Sequence, residues 1–203
     1  MKIICIGRNY LNHAKELNNP VPKEPVVFFK PDSAILRNNQ SFYHPDFSNN
    51  IQHEIEVVFK INRLGKNISK IFANKYYNEV GIGIDFTARD IQEKCKKGGL
   101  PWEKAKSFDG SAPIGMFLPK NKIKNINKIN FHLALNGETV QSGNTKDMIF
   151  DIDDIISYVS QFYTLKIGDL IFTGTPAGIG PVKINDRLQC YLENELLLDF
   201  KVK

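Results

Sequence analysis

The sequence predicts a sheet-dominated α+β fold, and two observations carry the prediction. Short apolar, β-branched runs outnumber helical stretches, and most of them are linked to a neighbour by a nearby turn. Lys2 to Ile6 reads as a first short strand, followed by a turn at Gly7 and a short helix bearing His13 and Glu16. The three prolines of "NNPVPKEP" predict an extended loop, after which "VVFFK" resumes as strand. Pro31 to Asn50 is polar and irregular. "HEIEVVFKI", from His53, alternates so that Glu54, Glu56 and Val58 share one face, with Ile55, Val57 and Phe59 on the other.

A further strand, "VGIGIDF", carries Asp85 and passes into "TARDIQEKCKKGG", a short helix closed by its glycine pair. In "FHLALNGETVQ" the Asn136-Gly137 dipeptide between alternating segments predicts a type I′ hairpin. "DIDDIISYVSQFYTL" has acidic residues in its first turn, where a helix N-terminus favours negative charge. Its Ile152, Ile155, Ile156, Val159 and Phe162 fall at helical spacing, so this segment is expected to be an amphipathic helix packed on the sheet. "DLIFTG" reads as a buried strand, and the C-terminus as a hairpin turning near Glu193 to Glu195.

A chain of 203 residues fits one domain, 1–203, with a large core. Basic residues exceed acidic ones by five but are scattered, and the densest run, "KNKIKNINK" from Lys120, reads as a solvated connector. Such a surface favours small anions and does not point to nucleic acid. Cys5, Cys95 and Cys190 are odd in number and widely spaced, which suits neither a disulfide framework nor a zinc site and implies a reducing compartment. The apolar run in "MKIICIGRNY" is too short for a signal peptide and is interrupted by Arg8. No window has the apolar length of a membrane span, so the expected location is the cytoplasm, without a membrane partner.

Two carboxylates on one strand face, Glu54 and Glu56, repel unless solvent or a cation screens them. They are either a solvent-facing strand surface or part of a metal site, with Asp85 at the end of another strand as a third oxygen ligand. Three carboxylates without cysteine or clustered histidine suit Mg2+ or Mn2+ and not Zn2+. Arg89 and Lys106 lie near this acidic cluster and can either hold a substrate carboxylate and stabilise an enolate, or make surface salt bridges. Gln92 follows Arg89 by three residues and shares its face if the segment is helical. "TGTPAGIGP" offers backbone N–H groups and the Thr175 hydroxyl; lacking a G-K-[ST] ending, it reads as an anion-binding turn more than a nucleotide loop. His13 and Glu16, three apart on a helix, are either a base with its orienting partner or ordinary surface polarity.

In this order, "GRNYLNHAKE", "HEIEVVF", "GIDFTARDIQEKCKKGGLPWEKAKSFDGSAPIG" and "IFTGTPAGIGPV" resemble the fumarylacetoacetate hydrolase family, most closely its short, single-domain acylpyruvase and oxaloacetate decarboxylase branch. The likeness runs from about Ile4 to the C-terminal hairpin. It implies a mixed β-roll of the family's C-terminal-domain type with flanking helices, a short N-terminal lid helix over about residues 7–20, and a homodimer. It further implies that Glu54, Glu56 and Asp85 hold Mg2+ or Mn2+, that His13 and Glu16 form the catalytic dyad of the lid with Lys106, and that Arg89, Gln92 and Thr175 line the substrate site. The implied activity is metal-dependent hydrolysis of the C–C bond of acylpyruvates, with oxaloacetate decarboxylation open to the same machinery and a small 2-oxo acid as the partner. A decarboxylase-isomerase, tautomerase or hydratase of a 2-oxo acid is the nearest rival, and a non-catalytic metal- or anion-binding protein is the rival of another class. These residues hold no counterpart of the long N-terminal domain of true fumarylacetoacetate hydrolases, so tyrosine breakdown itself is not the expected role.

Overall fold

The short apolar runs assemble into a six-stranded mixed sheet, seen in a computed structural model that describes residues 1–16 and 20–203. Across the sheet the strands are Val26–Lys30, Ile3–Gly7, Leu170–Phe172, Ile55–Ile61, Tyr77–Ile84 and Leu118–Pro119. Only Ile3–Gly7 and Leu170–Phe172 run parallel; every other neighbouring pair in this sheet is antiparallel. That one parallel pair brings the N-terminal run beside "DLIF" from the far end of the chain. The expected lid falls only partly within the described residues: the helix Leu11–Glu16 is seen, and residues 17–19 lie outside them.

"HEIEVVFKI" forms two strands instead of one. Ile51–His53 joins Thr87–Ala88 and Gly180–Pro181 in a small sheet, while Ile55–Ile61 enters the large one, and Glu54 sits at the break. Ile55–Ile61 is buried along its whole length except Lys60, so its alternation does not separate a wet face from a dry one. Both faces of this strand are covered, as happens in the middle of a sheet packed on both sides.

A second, four-stranded antiparallel sheet holds Glu138–Asn144, Asn130–Leu135, Arg187–Leu192 and Glu195–Lys201 in that order. Its first hairpin turns through Asn136 at φ 53° and Gly137 at φ 90°, the two left-handed residues that a type I′ turn requires. The helix Ile152–Phe162 is capped by Asp151, whose side chain accepts from the Asp154 N–H at 2.8 Å. Ile152, Ile155, Ile156 and Val159 enter the main core with Phe59 and Phe131. Phe162, expected on the same face, is 56% exposed. The helix ends there and the chain leaves through Tyr163 in extended backbone, so the last turn overhangs the core. No helix among the described residues is long and apolar enough to cross a membrane.

Candidate active site

The pairing of Ile55–Ile61 with Tyr77–Ile84 sets the three acidic residues side by side. Ile55 faces Ile84 and Glu56 faces Gly83, and just beyond the last pair the Asp85 N–H donates to the Glu54 carbonyl at 2.8 Å. Gly83 is needed for this approach, because a Cβ there would lie 2.7 Å from the Phe172 ring and 3.0 Å from Val58. One carboxylate oxygen from each of Glu54, Glu56 and Asp85 lies within 4.8 Å of the others, and all three residues are buried. The solvent-facing alternative for Glu54 and Glu56 is thereby removed.

Three cations surround this cluster. Lys106, from the short helix Glu103–Lys106, donates to Glu54 Oε2 at 2.8 Å and Asp85 Oδ2 at 2.6 Å. Arg89, the first residue of the helix Arg89–Gly98, pairs with Glu54 Oε1 and also donates to Gln52 at 2.9 Å and to Gln92 Oε1 at 2.6 Å. Lys30, at the end of the edge strand, lies 2.8 Å from Asp85 Oδ1. Its ammonium protons are directed elsewhere, to the Ser111 hydroxyl at 3.0 Å and to the carbonyls of Phe86, Lys106 and Ser111. Asp85 Oδ1 is therefore close to a positive charge yet receives no hydrogen bond.

The Lys30 charge offsets that of Asp85 Oδ1, and the oxygen's lone pairs, accepting no hydrogen bond, are open to a further positive ligand. With three convergent carboxylates and no sulfur or imidazole in the set, the donors fit a hard divalent cation such as Mg2+ or Mn2+. The protonation pattern agrees. Burial, and the charges of Asp85 and Glu54, push Glu56 well above the usual carboxylate range against the single N–H that Gly174 gives it at 2.7 Å. Burial also acts on Glu54, but Lys106 and Arg89 outweigh it and hold that carboxyl well below the usual range. For Lys106, burial favours the neutral amine and the two carboxylates more than reverse it, raising its pKa. Without a cation the surroundings of Glu56 favour its acid form; a divalent cation bound by the three carboxyls would favour their ionised forms.

His13 enters the same pocket from the helix Leu11–Glu16. Its Nδ1 is 3.0 Å from Glu16 Oε2, and Glu16 Oε1 accepts from the Gly178 N–H at 3.0 Å. His13, Glu54, Glu56, Asp85, Arg89, Gln92, Lys106 and Thr175 all line one pocket, with Glu16 behind His13. Thr175 is held from outside the pocket by Gln141, whose Nε2 donates to Thr175 Oγ1 and to the Pro176 carbonyl, both at 3.0 Å. The Oε1 of Gln141 accepts from Ile55 N–H at 3.1 Å and lies 2.8 Å from His53 Nδ1. Sequence reading missed Gln141, Lys30, Arg8, Phe28, Lys96 and Trp102, of which the last four also line the pocket. A lysine closing an otherwise apolar strand was the one available signal for Lys30; Gln141 offered none.

The family model for the fumarylacetoacetate (FAA) hydrolase C-terminal region matches residues 2–199. The chain belongs to the fumarylacetoacetate hydrolase family. Within it, the mitochondrial oxaloacetate tautomerase FAHD1 of Mus musculus is 44% identical over 201 residues, covering 99% of this chain and 91% of the relative. A mitochondrial oxaloacetate decarboxylase of Dictyostelium discoideum is 42% identical over 190 residues, covering 93% and 87%. Among solved structures, the fumarylpyruvate hydrolase of Pseudomonas aeruginosa, in complex with Mn2+ and pyruvate, superposes with a TM-score of 0.94 at 32% identity, covering 100% of this chain and 89% of that one. The mixed sheets described above thus have the fold of the fumarylacetoacetate hydrolase C-terminal region, as the sequence motifs implied.

Proposed function

We propose that this chain is a divalent-metal-dependent enzyme that acts on 2-oxo acids through their enolates. The observation that carries the proposal is the buried triad Glu54, Glu56 and Asp85, with its undonated Asp85 oxygen, lining one pocket with His13. The family relatives that act on oxaloacetate, and the structural neighbour holding Mn2+ and pyruvate, support the same reading. Glu54, Glu56 and Asp85 would hold Mg2+ or Mn2+, which when bound supplies Lewis-acid polarisation of the 2-oxo acid.

The remaining steps belong to the chain's own groups. The Lys106 ammonium, fixed between Glu54 and Asp85, is a preorganised positive charge beside the place where enolate charge develops. Arg89 and Thr175 offer donors to the substrate carboxylate. Glu16 engages His13 Nδ1, leaving Nε2 to carry a proton. With oxaloacetate, His13 takes a proton from C3 and the oxygen at C2 gains one, giving the enol; loss of CO2 from the same substrate leaves a pyruvate enolate, which is then protonated at carbon. With an acylpyruvate, His13 takes a proton from water as its oxygen adds to the distal carbonyl. The C–C bond then breaks, its electron pair staying with the pyruvate unit, and protonation of that enolate yields pyruvate and a carboxylate. The relatives favour oxaloacetate as the main substrate, and the ordered His13–Glu16 pair favours a second, hydrolytic activity on acylpyruvates.

The test is turnover of oxaloacetate, acetylpyruvate, a longer acylpyruvate and fumarylpyruvate, each with Mg2+, with Mn2+ and with a chelator. Metal-dependent turnover of oxaloacetate, with slower pyruvate release from an acylpyruvate, is expected. Silence across the panel, or equal rates in chelator, would contradict the proposal.

A further inference from the structure

Two cations at the pocket have no task in the chemistry above. Arg8 and Lys96 line it beside His13, Phe28 and Trp102. The other cations have carboxylate partners, Lys106 and Arg89 on Glu54, Lys106 and Lys30 on Asp85. Among the described residues neither Arg8 nor Lys96 has a carboxylate within ion-pair distance. The ammonium of Lys96 rests 5.8 Å from the centre of the Trp102 ring. Partial burial lowers its pKa, and the positive charges of Arg89 and Arg8 lower it further, which places these three cations in one another's fields.

Arg8 also occupies the left-handed region, at φ 59°, where a residue bearing a large side chain is uncommon. The turn is held there by the next residue: Asn9 donates to the carbonyls of Phe150 at 3.0 Å and Thr173 at 2.8 Å, and accepts from the Phe150 N–H at 2.8 Å. An arginine is thus kept at the pocket in a conformation that asparagine or glycine adopts more readily. The charge balance suggests why. Lys30, Lys106 and Arg89 already match the three carboxylates. Arg8 and Lys96 are then the pocket cations left without an anionic partner of the chain's own.

Building on the function proposed above, we infer that Arg8 and Lys96 bind the second carboxylate of a dicarboxylic 2-oxo acid and set a preference for such substrates over acylpyruvates with uncharged chains. The guanidinium supplies a fork that matches a carboxylate, and the ammonium adds a point charge from the rim.

The test compares two unreactive probes on the Mg2+-loaded protein by calorimetry. Malate carries the second carboxylate and lactate lacks it. The wild type should bind malate more tightly. Arg8→Asn, a change suited to the left-handed backbone, should lower the malate-to-lactate affinity ratio by roughly 10- to 100-fold, the worth of a charge-assisted hydrogen bond. Arg8→Lys should recover part of it. Lys96→Gln, which keeps the length of the stem and removes the charge, should lower the ratio by a few-fold. The ratio of kcat/KM for oxaloacetate to that for acetylpyruvate should move in the same direction. A wild type that does not prefer malate, or ratios unchanged in both Arg8→Asn and Lys96→Gln, would overturn the inference. Turnover of both substrates with unchanged ratios would overturn it while leaving the proposed reaction intact. An Arg8-dependent malate preference in a protein that turns over no 2-oxo acid would support the anion site and sink the reaction.

Discussion

The two walls of the pocket are built to different standards of rigidity. Glu54, Glu56 and Asp85 stand on or beside paired central strands that are buried on both faces. His13 and Glu16 stand on a six-residue helix whose only fully buried members are His13 and Ala14 and whose Leu11 is 43% exposed. That helix is tied down through Asn9 at its start and through the Gly178 N–H on Glu16 at its end. Metal ligands need fixed separations, which a two-sided core enforces. A group that moves a proton over an entering substrate is better placed on a segment of low local stability.

The largest effect should come from breaking the rigid wall. Glu56→Gln removes a ligand charge without changing shape, so metal binding and all metal-dependent turnover should fall to the background level; full activity in saturating Mg2+ would remove Glu56 from the ligand set. On the other wall, His13→Ala should slow turnover by about 10²–10⁴-fold, the range for a general acid-base group. Calorimetry on the same variant should find metal affinity intact, since His13 belongs to the proton-moving side only. A pH series sharpens the contrast. Burial and its two acidic neighbours raise the Glu56 pKa, so metal competes with a proton for that carboxylate. Affinity should therefore rise with pH, by up to about tenfold per unit below the raised Glu56 pKa, and proton release should accompany binding. Affinity independent of pH above the ordinary carboxylate range would contradict this.

Smaller effects probe the anchors. Asn9→Ala loses three hydrogen bonds, one buried and two partly buried, and should cost about 1–3 kcal/mol of stability, with faster hydrogen exchange in Leu11–Glu16 than in Ile55–Ile61. Asp151→Ala, outside the pocket lining, should cost about 1 kcal/mol in a thermal melt through the lost helix cap and leave turnover unchanged.

What the sequence disclosed follows the range of the interactions involved. The Asn136-Gly137 turn and the Asp151 cap are local chemistry, decided within four residues, and both were readable. The nine candidate site residues were nameable because four motifs keep family order, while the residues alone left each with an ordinary alternative. Lys30 and Gln141 were not readable, because their partners lie at Asp85, Lys106 and Ser111 in one case and at His53, Thr175 and Pro176 in the other. The alternation in "HEIEVVF" was visible, but alternation does not reveal that a second layer covers the polar side. Phe162 shows the converse error: periodicity places it on the buried face, yet the helix runs past the core before it is reached.

The most direct test of the account is a Mn2+ titration of metal-stripped protein, wild type beside Glu56→Gln. One tightly held ion per chain in the wild type and none in the variant is the predicted result. Equal binding by both proteins, or no binding by a wild type that still turns over oxaloacetate in chelator, would contradict the metal-held enolate chemistry on which the account rests.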